Sequence, residues 1–121
     1  MVSISATDAK TNQPGYFYFD TVTDYRSIQQ SFAQLAMYNG AGVLRVEPIG
    51  GPVIDLGVEA VSHEYFALAN VRAAAGRLLT AQDDSGPPTI VVSHRLSERL
   101  FGEPSQAVTK TLPINLSLIH I

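Results

Sequence analysis

The sequence has no cysteine anywhere in its 121 residues. That removes disulfides, thiolate catalysis and cysteine-bound zinc, without choosing a compartment. Charge is also scarce: 16% of the residues are Asp, Glu, Lys or Arg, with a net charge of −3. A chain of this sign is a poor partner for nucleic acid or anionic lipid. No apolar run approaches the roughly 18–20 residues of a membrane span. The opening MVSISATDAKT lacks the basic start and apolar stretch of a signal peptide. Read as a complete chain, it would be soluble and cytoplasmic.

Catalytic patterns are missing too. Gly40-Ala41-Gly42 lacks the third glycine of a dinucleotide loop and the Lys-Ser/Thr of a phosphate loop. Ser93-His94 are adjacent residues without the glycines of a nucleophile elbow, so they do not form a nucleophile–base pair. His63, His94 and His120 have no short helical spacing and are read as structural or surface residues. Asp83-Asp84 supplies too few oxygens for a cation loop and is read as a solvated, helix-capping corner. No enzyme activity and no cofactor are expected.

What is present fits one domain with one core, since 45% of the residues are hydrophobic. Residues 2–6 (VSISA) alternate as a half-buried strand does, and residues 8–15 are rich in turn formers. The aromatic run Tyr16-Phe17-Tyr18-Phe19 is read as core, either as a strand or as the anchor of a following helix. Thr23 or Asp24 can cap that helix; Tyr25, Ile28, Phe32, Leu35 and Ala36 give it an apolar stripe, and Asn39-Gly40 ends it. Ser31 is a candidate break within it.

Residues 43–47 and 53–61 read as a strand pair about a Pro-Ile-Gly-Gly-Pro turn. Ile54, Leu56, Val58 and Ala60 would face the core. Ser62 can cap a short helix with Tyr65, Phe66 and Leu68, and Asn70 suits a chain reversal with positive φ. The smooth run from Ala73 to Gly76 allows close packing, and Arg77 can anchor a carboxylate or carbonyl within the fold. Residues 80–88 form a polar loop, and residues 89–92 (TIVV) a buried strand. Ser93 caps a helix with Leu96, Leu100 and Phe101 on one face; Arg95, Glu98 and Arg99 lie on the other, and Gly102 stops it. A last strand is expected within residues 108–114, with Pro113 confining it to an edge or an end. The fold class is α+β: a mixed or antiparallel sheet with two or three packed helices.

The residue order from position 61 onward resembles the MacB-like periplasmic core domain of FtsX/MacB-type ABC-transporter permeases. The resemblance rests on Val61, Ser62 and the aromatic pair Tyr65-Phe66; on Leu68 and Val71; and on Gly76, Arg77 and Thr80. It continues through Asp83-Asp84, the junction Val91-Val92-Ser93-His94, and the close Arg99, Phe101, Gly102. Upstream, Asp24-Tyr25, Ser31-Phe32, Leu35-Ala36 and Tyr38 resemble the first helical region. The match covers most of residues 16–115. The chain departs from the family at three places. Asn70 stands before Val71 where glycine is usual, and Thr109 falls where the approach to the final strand carries glycine. After Ile114-Asn115 comes LSLIHI in place of Gly and a strand.

The resemblance implies a non-catalytic extracytoplasmic domain, residues 1–115, that relays conformational change during ATP-driven efflux or transport of a lipoprotein, peptide or drug. It implies an inner-membrane permease in a bacterium, with this domain on the periplasmic side. Its partners would be the permease's transmembrane helices, a separate ATP-binding subunit or domain, and a periplasmic adaptor; nucleic acid is not among them. Residues 116–121 are expected to be a truncated or non-native tail that adds no closing strand, leaving the domain incomplete at its C-terminus. The alternative is a stand-alone soluble extracytoplasmic binding module of the same fold.

Overall fold

The computed structural model describes residues 1, 3–15, 18–48, 50–114 and 117–120. Eight elements follow in chain order: α1 (Phe19–Ile28), β1 (Tyr38–Val46), β2 (Ile54–Val61), α2 (Tyr65–Leu68), α3 (His94–Phe101), α4 (Pro104–Ala107), β3 (Thr111–Ile114) and β4 (Ser117–His120). The four strands form one antiparallel sheet in the order β2-β1-β3-β4. The architecture is α+β, as expected.

The β1–β2 hairpin is the frame. Leu44 pairs with Leu56 and Val46 with Ile54, so the apolar residues of both strands share one face. Val46 is fully buried, and Leu112 of β3 is 2% exposed beside it. Ile90, Val92, Leu100 and Phe101 pack against the same pair. Ladder pairing slips between Asn39 and Gly42, where β1 carries one extra residue. Beyond this bulge the alternation of β2 changes: Ile54, Leu56 and Val58 are half-buried, but Ala60 is exposed and Val61 half-buried. The expected core face therefore holds through Val58 and not to Ala60.

Helix α3 forms for the expected reasons. The Ser93 hydroxyl accepts from the Leu96 amide at 3.2 Å, and Gly102 takes φ +84° at the C-terminal end. Leu96, Leu100 and Phe101 are half-buried, while Arg95, Glu98 and Arg99 are exposed.

Several expectations are corrected. The first helix starts with Tyr18 as its N-terminal flank and ends at Ile28, so Thr23 and Asp24 are interior and do not cap it. Gln29 turns extended and its side chain bonds both the amide and the carbonyl of Phe32. Those bonds replace helical ones, and Phe32, Leu35 and Ala36 become half-buried in irregular chain. Asn39-Gly40 belongs to β1. Residues 3–6 form no strand; Thr7 bridges Pro14 across the expected turn. Tyr16 and Phe17 lie outside the described residues, as do Val2, Asn115 and Leu116, and Tyr18 is 76% exposed.

Residues 89–92 run beside the core and are not one of the four named strands, although Thr89 makes a single β-bridge. Ser117–His120 pairs with Thr111–Ile114 as a hairpin strand. Pro113 lies within β3, one residue from its end, and its carbonyl accepts from the Glu47 amide at 3.3 Å. The Ser62 hydroxyl does not cap α2; Glu64 flanks that helix, and only the Ser62 carbonyl serves it, accepting from the Tyr65 amide.

The two glycine departures become legible in the backbone. Asn70 has φ +54° and Thr109 has φ +69°. Glycine adopts this region freely, asparagine tolerates it, and a β-branched threonine is strained there. Thr109→Gly should therefore raise stability by about 0.5–1 kcal/mol, since relief of left-handed strain exceeds the added freedom of the unfolded chain. Leu112→Ala should lower it by about 2–5 kcal/mol. Urea denaturation of both variants checks the pair; a destabilised Thr109→Gly would contradict the strain assigned to that residue.

Candidate functional site

The residues singled out in the sequence fall into three groups. The first is the loop after Gly76. Arg77 Nη1 lies 2.6 Å from Asp83 Oδ2, and Nη2 donates to Asp83 Oδ1 at 2.8 Å, a bidentate fork. Nη1 also donates to the Leu78 carbonyl at 3.0 Å. The Thr80 amide and hydroxyl both donate to Asp83 Oδ2, at 2.7 and 3.0 Å. Arg77 is thus the internal carboxylate anchor expected of it. Asp83 is not a solvated helix cap: its side chain is 10% exposed and closes the loop. The Arg77 fork and the Thr80 amide hold the Asp83 carboxyl well below the usual carboxylate range, and Asp83 raises the Arg77 guanidinium in turn. Gly76 is required beside them. Its φ is +70°, and a Cβ there would meet Val108 Cγ2 at 3.0 Å.

The second group is the corner after β2. Ser62 is 2% exposed. Its amide donates to the Met37 carbonyl at 3.0 Å, and its hydroxyl accepts from the Met37 amide at 2.8 Å. The side chain thus supplies the acceptor that the ladder would otherwise offer at the hairpin's end. Arg26 of α1 donates from Nη2 to Ser62 Oγ at 3.2 Å and to Glu64 Oε2 at 2.9 Å. His63 Nδ1 lies 2.6 Å from Asp84 Oδ2, and Nε2 lies 3.4 Å from Glu64 Oε1. Asp84 is therefore a tether from the polar loop to this corner. Tyr65 stacks on Tyr38 at 6.0 Å and meets Phe66 edge-on at 5.5 Å.

Helix α3 provides the third group and stands apart from the other two. Ser93 caps it, Phe101 packs on the core and Gly102 ends it. His94 Nε2 lies 3.3 Å from Glu98 Oε1 on the exposed face, one turn away. The sequence reading did not find Arg26 or Glu64. Arg26 lies one turn from buried Val22, a signal visible only when the helix is started at Phe19.

An open cleft of 270 Å³ lies at the first group, lined by Gly76, Arg77, Thr89, Ile90, Val108 and Thr109 together with Ala75. Its walls are mainly apolar, and its one charged residue is already engaged by Asp83. Among the described residues no group of three or more His, Cys, Asp or Glu side chains is placed to hold a metal ion. None of their helices is long and apolar enough to cross a membrane. What the three groups can do chemically is hold segments together: a forked ion pair, a buried serine acceptor and a capped helix.

A family model described as the MacB-like periplasmic core domain matches residues 1–119, and the chain belongs to that family. No curated protein and no solved structure matches the chain.

The low-lying carboxyl of Asp83 gives a signed pH prediction. Its contribution to stability is present in full above the ordinary aspartate value of about 3.9 and is lost as pH falls through its lower folded value. Asp83→Asn should melt below the native protein at pH 7, and the gap should shrink at pH values well under 3.9. Melting curves across that range check it; a gap independent of pH would contradict the assignment.

Proposed function

We propose that the chain serves as the non-catalytic extracytoplasmic domain of an ABC-transporter permease in a bacterial inner membrane. The single observation that carries this reading is the family match along residues 1–119. The absence of a phosphate loop from the sequence agrees with it, because ATP hydrolysis would fall to a separate ATP-binding subunit or domain. In this role the domain passes conformational change between the permease's transmembrane helices and a periplasmic adaptor or cargo during efflux. The cargo would be of the lipoprotein, peptide or drug type. The tied segments suit that work: forked and buried polar contacts fix relative positions more sharply than apolar packing alone.

The chain's lack of cysteine supplies the test. Val43 is 71% exposed on the hairpin, and Val43→Cys gives the domain one reporter thiol. In the parent membrane protein, a membrane-impermeant maleimide should label that thiol in intact cells with a permeabilised outer membrane. Labelling only after the inner membrane is broken would place the domain on the cytoplasmic side and defeat the proposal.

A further inference from the structure

We propose that α1 is a detachable arm, clasped to the end of β2 by Arg26 and released as a unit without unfolding the sheet. This does not depend on the transport role.

The sequence of α1, FDTVTDYRSI, is poorly suited to an independent helix. Thr21, Val22 and Thr23 are consecutive β-branched residues, which lose side-chain freedom in a helix. Tyr18 at its start gives no side-chain cap. Ten residues are also fewer than the about 12–15 that even favourable sequences need to stay helical in water. The helix must be held by what it touches. It makes no extended contact with another named element. Tyr18, Tyr25 and Ile28 are exposed, Ile28 by 74%.

Two side chains, Val22 and Arg26, face inward one turn apart. Val22 is buried. Arg26 bonds Ser62 and Glu64, both at the corner that β2 delivers beside Met37. The clasp also carries a built-in cost. No acceptor among the described residues reaches the buried Arg26 Nε–H, a donor that water would satisfy once the arm swings out. A short, weak helix fastened through Arg26 by a polar clasp with an unsatisfied donor has the makings of a two-state arm. Its open form loses helix, while β1, β2 and the Val46–Leu112 core are untouched.

Amide hydrogen exchange on the 121-residue chain tests this. Arg26→Met keeps the stem and removes the fork. It should speed exchange of the α1 amides roughly ten- to hundredfold, the range for hydrogen bonds to charged groups, and leave β1 and β2 amides unchanged. Glu64→Gln leaves the Arg26 charge at the helix's last turn but weakens the clasp. It should speed the same amides by a smaller factor, about threefold or more. Arg45→Met, which breaks only the exposed pair with Asp55, should change neither set. In the unmutated chain at low urea, α1 amides should exchange with a much weaker urea dependence than β1 amides, which keeps the test open if a variant fails to fold. Three results would overturn the proposal. Acceleration by Arg26→Met alone would mean that Arg26 acts within the helix. Unchanged α1 exchange in both variants would mean that packing holds it. Equal urea dependence across α1 and β1 would mean that the arm opens only with the whole chain.

Discussion

The pairing register of β1 against β2 is the constraint on which the rest depends. With Val46 opposite Ile54, the hairpin presents Leu44, Val46, Ile54 and Leu56 on one face. A shift of one residue would leave Leu44 and Val46 on one side and send Ile54 and Leu56 to the other. That face receives β3 through Leu112, α3 through Leu100 and Phe101, and the extended segment through Ile90 and Val92. The same register, carried past the bulge, brings Ser62 beside Met37 and so creates the corner to which Arg26 reaches.

The core is small. Four hydrophobic residues are buried among those described: Val22, Val46, Ala107 and Leu112. With so little apolar burial, segments away from the hairpin rely on polar ties. The Arg77–Asp83 fork fixes the loop after Gly76, His63 holds that loop to the corner through Asp84, and Arg26 holds α1. Ties of this kind are geometrically specific but contribute less than burial, the more so where one partner is solvated as Arg77 is. The result is a firm hairpin with separately fastened surroundings.

The frame was legible in the sequence because its signals are local. Alternation on both sides of a Pro/Gly turn marks the hairpin, and Ser93 and Gly102 bracket α3. Asn70 and Arg77 were also readable, since each acts on residues close in the chain. The misreadings share a cause. The spacing of Phe32, Leu35 and Ala36 fits a helix, but the Gln29 side chain takes over the hydrogen bonds of Phe32 and ends the helix early. The β-branched run at residues 89–92 looks like a strand, yet the sheet order β2-β1-β3-β4 does not include it. Asp84 finds His63 across 21 positions and Arg26 finds Glu64 across 38, distances at which side-chain patterns carry no signal. Helix α4 has only Pro104 at its start to mark it and is four residues long.

The register can be measured directly, because any thiol introduced into this chain is free of competitors within it. Val43 and Gly57 face each other across the hairpin, and a Cβ at Gly57 meets nothing within 4 Å. Directly paired positions on antiparallel strands lie within disulfide reach. Val43→Cys with Gly57→Cys should oxidise to a monomeric disulfide that still unfolds cooperatively. Val43→Cys with Leu56→Cys, one residue out of register and on opposite faces, should not. Ready closure of the second pair and failure of the first would show a shifted hairpin, and the core and the clasped corner would fall with it.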